Sequence, residues 1–316
     1  MDKVDMTYSE LIGNTTISNK QKVTVFLSEV KALIKIGIVN SNLITAITGF
    51  LVAIALTNSS FSNHWGSFLL MIIGSAFVIA GGCIINNWYD VDIDPKMSRT
   101  KKRPTVTGFF SLRTVLTTGI IVSILGFVIL MFTTWYAALF AFIGWIGYVV
   151  LYTMWSKRRY TLNTAVGSLS GAMPPLIGWA AVDPSFHVVP FVMFLIMFIW
   201  QTPHFLALAM KKKEEYKAAG VPMLPVVRGM GITKRQIAVY IACLLPLPFF
   251  LMPALGLTFT IVATILNIAW LVIGFMGLFT KTEKDMKWAN LVFIFSLNYL
   301  TILFPLMIIV TLPIFN

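Results

Sequence analysis

Stretches of roughly twenty mostly apolar residues recur along the whole chain, and that is the length an α-helix needs to cross the ~30 Å hydrocarbon layer of a bilayer. By that criterion the sequence holds nine: 34–56, 67–88, 114–133, 135–154, 163–182, 189–210, 236–252, 255–279 and 290–312. Inside hydrocarbon, backbone N–H and C=O groups must be satisfied within the segment itself, so such runs fold as helices. Composition agrees: 58% of the residues are hydrophobic and 11% are charged, against about 25% charged in soluble domains. Only a short turn near Thr134 separates the third and fourth runs, and the seventh and eighth part near Pro253. No linker or low-complexity segment divides the chain. The expectation is an all-α polytopic membrane protein with one transmembrane domain, 34–316, behind a polar tail, 1–33. The start of that tail has no signal-peptide core and carries Asp2, Asp5, Glu10 and Glu29, unlike an acid-poor transit peptide. It reads as a solvated, partly disordered segment. Cys83 and Cys243 fall inside apolar runs and read as packing residues rather than as a disulfide or metal pair.

A formal charge of +12 in a soluble chain would raise nucleic acid as a partner. Here the basic residues follow the apolar runs instead. They cluster in the tail, after the second run, after the fourth, after the sixth and after the eighth, and these groups hold all 24 Lys and Arg. The intervening loops have none. The positive-inside rule then places the N-terminus in the cytoplasm and the C-terminus outside. A multi-pass protein of a bacterial cell membrane is expected, with no nucleic-acid partner.

The second run ends in Asn86-Asn87-Trp88-Tyr89-Asp90-Val91-Asp92-Ile93-Asp94-Pro95. On a continuous helix the i, i+4, i+8 spacing of Asn86, Asp90 and Asp94 stacks three oxygen side chains on one face, with Asp92 turned away. Acids at the edge of a bilayer are costly and call for a function. An all-oxygen set suits Mg²⁺, which keeps part of its water and shares its shell with substrate phosphates. The cations that follow, Lys96, Arg99, Lys102 and Arg103, are what a diphosphate needs, and Lys157 and Arg158 stand at the same side after the fourth run. The plainer reading of these bases is topology alone.

A second polar cluster closes the sixth run: Trp200, Gln201, His204 and Phe205, then Lys211, Lys212, Glu214 and Glu215. It offers a second acidic motif and more cations, although Lys211 and Glu215 also have the spacing of a simple helix pair. Between the clusters, Asn163, Gly167, Ser168, Gly171 and Gly178 allow close helix packing, and Pro174-Pro175 would break a helix and widen a cavity.

Together these stretches resemble the UbiA superfamily of intramembrane prenyltransferases, on Asn86-xxx-Asp90-xxx-Asp94, Arg103-Pro104 and the nine-run layout. Within it they are similar to the protohaem IX farnesyltransferase branch, on 171–179, Trp200-Gln201-Thr202-Pro203-His204-Phe205, and Glu215-Tyr216 running to Val227. The resemblance implies a nine-helix bundle around a central cavity, with farnesyl diphosphate and haem b as substrates and Mg²⁺ as cofactor. It implies that Asn86, Asp90 and Asp94 hold the metal, that the basic residues bind diphosphate, and that Trp200, Gln201 and His204 contact haem. Tyr148, Tyr152, Asn163 and Phe205 are expected in the cavity wall. A haem A synthase or a cytochrome oxidase assembly factor is the kind of partner it implies. The family's second acidic motif is usually a spaced pair of Asp, and adjacent Glu214 and Glu215 depart from it. Two other readings stay open: a relative acting on a quinone precursor or other aromatic acceptor, and a secondary transporter.

Overall fold

A computed structural model describes residues 18–312. Residues 1–17, most of the expected tail, lie outside the described residues; the rest of that tail is ordered as helix α1 (Asn19–Leu33), opened by a Ser18 capping box with Gln21. Among the described residues every regular element is a helix. Helix α2 spans Ile36–Leu56 and α3 spans Phe61–Tyr89; at ~1.5 Å per residue both are long enough for a bilayer. A loop of 22 residues, 90–111, follows and contains one 3-10 turn at Asp94–Lys96. Helix α4 (Leu112–Met131) and α5 (Trp135–Ile146) are joined by the tight turn expected at Thr134, whose hydroxyl caps α5. From Gly147 to Ser156 the chain continues as a π-helix.

The fifth expected run is broken. Helix α6 (Asn163–Ala172) and α7 (Pro174–Ala180) meet at Met173, where Pro174 cannot donate the next ladder bond. Helix α8 (Val188–Lys211) is followed by two short helices, α9 (Lys213–Ala218) and α10 (Leu224–Val227). Helices α11 (Gly229–Ala242), α12 (Leu247–Phe279) and α13 (Asp285–Ile309) complete the chain. The break expected at Pro253 lies at Gly256, whose φ of 78° interrupts α12.

Seven stretches are long and apolar enough to cross a membrane among the described residues. The expected nine are not all met by length and apolarity. Neither half of the α6–α7 pair is long enough alone, and 229–279 forms one stretch holding both α11 and α12.

Packing fixes where a cavity can form. Helix α3 packs along α4, α2 on α7, α6 on α8, and α8 also meets α11 and α13. The larger core lies among α8, α11, α12 and α13, around Trp270, Tyr299 and Phe304; a second, around Phe50, Met71 and Leu130, ties α2, α3 and α4 to α5 and α7. The α2–α7 contact is so close that a Cβ on Gly178 would sit 1.8 Å from the Ala46 carbonyl oxygen, and one on Gly49 2.1 Å from that of Pro175. Cys83 is buried as expected, whereas Cys243 is exposed, because α11 turns that face outward rather than into a core.

Candidate active site

Helices α2, α3, the α5–π segment, α6–α7, α8 and α13, with the 90–111 loop and α9, surround a cavity of about 730 Å³, within the usual range for ligand sites. Its polar end lies where α3 stops. The helix ends at Tyr89 because Pro95 has no N–H to carry the ladder on to Val91, so Asp90 caps the helix and Asp94 begins the 3-10 turn. The continuous helix expected from Asn86 through Asp94 is therefore not formed beyond Tyr89. Both i+4 backbone links are present, Asp90 N–H to Asn86 O at 3.0 Å and Asp94 N–H to Asp90 O at 2.9 Å, and all three residues are buried.

Each is held by named partners. The Asn86 amide donates to Asp90 Oδ2 at 2.8 Å and to Thr153 Oγ1 at 3.0 Å, which fixes its orientation and leaves Oδ1 to accept from Lys35 Nζ. Asp90 pairs with Lys157, and more loosely with Arg158 at 3.5 Å. Asp94 pairs with Arg103 at 2.6 Å. The π-helix is what brings two of these partners in: its i→i+5 ladder runs through to Lys157 N–H on Tyr152 O at 2.9 Å, setting Thr153 against Asn86 and Lys157 against Asp90. Isolated π segments frequently mark functional sites.

Neither Asp90 nor Asp94 itself lines the cavity. What faces it at this end is Asn86, Lys35, Arg99, Arg103 and Lys157, four cations and one amide backed by two carboxylates. An outward charge of that sign suits an anionic ligand. The two carboxylates and the Asn86 oxygen are hard donors that fit Mg²⁺, and among the described residues no group of three or more His, Cys, Asp or Glu forms a fuller cage. A set that small suits a metal that keeps water and takes phosphate oxygens.

The other expected diphosphate ligands lie elsewhere. Lys96 and Lys102 are exposed on the loop. Arg158 forks onto Asp92 at 2.7 and 2.8 Å and stacks over the Tyr89 ring; this pair holds the Asp92 carboxyl below its ordinary value. Asp92 points away from the buried acids, as its spacing predicts. Asp92→Ala is accordingly expected to leave turnover within about threefold of the parent, the usual cost of losing an exposed ion pair; steady-state rates in liposomes check this.

The second acidic motif does not reach the cavity. Glu214 is exposed. Glu215 accepts from Ser98 N–H at 3.1 Å and Ser98 Oγ at 2.9 Å, and from Lys212 at 2.7 Å, contacts that lower its pKa. It ties the 90–111 loop to α9, and the expected Lys211–Glu215 pair is absent because Lys211 donates to Asn290. Asn163, expected in the wall, is fully buried behind it with its amide on Lys157 O at 3.3 Å.

Next to this polar head the wall includes Tyr148 and Tyr152, stacked at 5.9 Å, and beyond them Trp200, Gln201, His204 and Phe205. His204 stacks between Trp200 at 4.8 Å and Phe293 at 4.7 Å. Its Nδ1 lies 2.7 Å from Ser296 Oγ, whose one proton goes to Phe293 O at 2.5 Å. Assigning that proton to Phe293 O makes Nδ1 the donor of a neutral ring and leaves Nε2 its lone pair. Sequence reasoning placed Lys35 in the basic tail and missed Thr153 and Ser98; only the partners these residues meet in three dimensions reveal them.

The chain is 77% identical, over all 316 residues and the whole of the other protein, to the protoheme IX farnesyltransferase of Oceanobacillus iheyensis. A solved digeranylgeranylglyceryl phosphate synthase shares the fold with a TM-score of 0.70 at 21% identity, covering 90% of this chain and 98% of that one. A UbiA homologue from Archaeoglobus fulgidus, solved with GPP and Mg²⁺, shares it at 0.60 and 16%, covering 87% of this chain and 100% of its own. With the profile of the UbiA prenyltransferase family matching residues 42–297, a span that contains the buried acids, the π-helix and the aromatic wall, the chain belongs to the UbiA prenyltransferase family.

Proposed function

We propose that this protein transfers a farnesyl group from farnesyl diphosphate to a vinyl group of haem b, with addition of water, and releases diphosphate. One observation carries the reading: a single cavity joins a cationic head to an aromatic wall, in a chain 77% identical from end to end to a protein named for that transfer.

Arg99, Arg103 and Lys157 bind the diphosphate oxygens and take up the negative charge that grows there as the allylic C–O bond lengthens. Asp90 and Asp94 hold Lys157 and Arg103 from behind, so the cations are in place before substrate arrives. Asn86, Asp90 and Asp94 would hold Mg²⁺, which when bound neutralises further charge on the leaving group. The Archaeoglobus homologue solved with GPP and Mg²⁺ supports that assignment.

The aromatic wall serves the other half of the reaction. The faces of Tyr148 and Tyr152 present negative quadrupoles to an allylic cation, and with Trp200 and Phe205 they keep bulk water from it until the vinyl π-electrons have attacked. His204 contacts the haem: a ring whose Nδ1–H is fixed and whose Nε2 is bare is the form that ligates iron. The acidic end faces the cytoplasm of a bacterial cell, on the distribution of basic loops.

The test is direct. Purified protein in liposomes, given farnesyl diphosphate, haem b and Mg²⁺, is expected to yield a haem carrying one hydroxyethylfarnesyl group by mass spectrometry. EDTA should reduce the yield at least a hundredfold, with recovery on adding Mg²⁺. Product formed equally well with EDTA present would remove the metal assignment, and no product with metal supplied would remove the activity.

A further inference from the structure

Lys35 stands where the chain breaks between α1 and α2, and it is one of only two non-glycine residues with positive φ among the described residues, at φ 52° and ψ 57°. A lysine gains nothing locally from the left-handed region, where its Cβ crowds the following carbonyl. Such a conformation persists only where surrounding contacts over-determine it. Two adjacent residues of α3 supply them. The Asn87 amide donates to Leu33 O at 2.7 Å and pins the backbone of the break, while Asn86 Oδ1 accepts from the Lys35 ammonium. The Tyr148 hydroxyl is 3.4 Å from the same ammonium. The turn thus carries the ammonium inward to the head of the cavity, beside Asn86, instead of letting it extend into water as lysines at the ends of spanning helices ordinarily do.

There it faces the same space as Arg99, Arg103 and Lys157 but comes from a different element, α2, whereas the other three come from the loops after α3 and after the π-helix. Arg103 and Lys157 are matched by Asp94 and Asp90. Among the described residues Lys35 has no carboxylate partner, only the neutral oxygens of Asn86 and Tyr148.

We infer that Lys35 is a binding residue for the prenyl diphosphate, closing the cationic head from the α2 side with a charge held in reserve by Asn86. The inference rests on the diphosphate-transfer reading above. Within it, Lys35 donates to a phosphate oxygen and gives up Asn86 Oδ1, which becomes available to the metal. The left-handed turn is the device that makes this reach possible.

The experiment measures equilibrium binding of farnesyl thiodiphosphate, an analogue that transfers its chain poorly, to purified protein in nanodiscs with Mg²⁺, and of haem b in parallel. The parent binds the analogue; if it does not, the diphosphate reading itself falls, independently of Lys35. Lys35→Met removes the charge and keeps the chain length. Lys35→Asn also removes it and readily adopts positive φ, so it keeps the turn should the Met variant not fold. Both are expected to weaken analogue binding by about tenfold to a hundredfold, the range for one charge-assisted hydrogen bond, with haem b binding unchanged. Lys35→Arg should recover most of the affinity. Analogue binding equal to the parent in a folded uncharged variant overturns the inference, as does a loss of haem b binding with the analogue unaffected, which would assign the ammonium to a haem carboxylate.

Discussion

Asp90→Ala is expected to cut turnover by a thousandfold or more and to destabilise the folded protein by about 3 kcal/mol, the lower end for breaking a buried pair from one side. The two effects share a cause. Asp90 is fully buried and accepts from the Asn86 amide and Lys157, with Arg158 nearby. Truncation leaves the Lys157 ammonium uncompensated, frees the Asn86 amide to rotate, and so loosens both the cationic head and the proposed metal donor. Asp90→Asn separates the contributions. It keeps the shape and one acceptor oxygen, so most of the stability should return, while activity stays low because the negative charge is gone. Thermal unfolding in detergent and initial rates in liposomes read the two quantities. An Asp90→Asn protein as active as the parent would show that the carboxylate only packs there.

Gly178→Ala is expected to be the most damaging single methyl in the chain: a loss of at least about 3 kcal/mol, at the upper end of overpacking costs, and little folded protein recovered from membranes. The added carbon would meet the Ala46 carbonyl oxygen at 1.8 Å and Phe50 N at 2.9 Å, and backbone cannot swing aside as a side chain can. The two helices must part, and α7 carries Pro174 and Ile177 of the cavity wall, so the site would open with them. Gly37→Ala is the control. It lies in α2 as well, has nothing within 4 Å of its added carbon, and should be neutral or slightly stabilising, as Ala is a better helix former. Reversible unfolding of both variants measures the difference; equal stabilities would mean that α2 and α7 do not approach so closely.

What could be read from the sequence was whatever local pattern dictates. Apolar runs and basic loops are one-dimensional signals, and they located most of the spanning helices and the polar end. Asn86 and Asp90 are separated by one helical turn, so their meeting was legible. Asp94 was read as a further turn of the same helix, whereas the helix stops at Tyr89 and Asp94 opens a 3-10 turn before Pro95, which has no N–H to give. The fifth run is a single stretch by hydropathy alone, but Pro174-Pro175 marked the break that the chain makes at Met173. Lys35 was invisible for a different reason: its conformation is set by Asn86 and Asn87, more than fifty residues away, and a lysine at the start of an apolar run is ordinarily there for topology. Glu215 looked like part of a metal motif because acidity is visible in sequence, whereas its partner Ser98, 117 positions distant, is not.

The π-helix ties the chemistry to a count of residues. Its ladder reaches back five positions instead of four, so each turn accommodates additional chain. Deleting one residue between Tyr148 and Lys157 would let the ladder relax to the ordinary repeat and rotate everything beyond it about the axis. Thr153 and Lys157 would swing off Asn86 and Asp90 with no polar group changed in identity. Two homologous chains agreeing at every acid and base would then differ in competence through a single-codon gap in this segment.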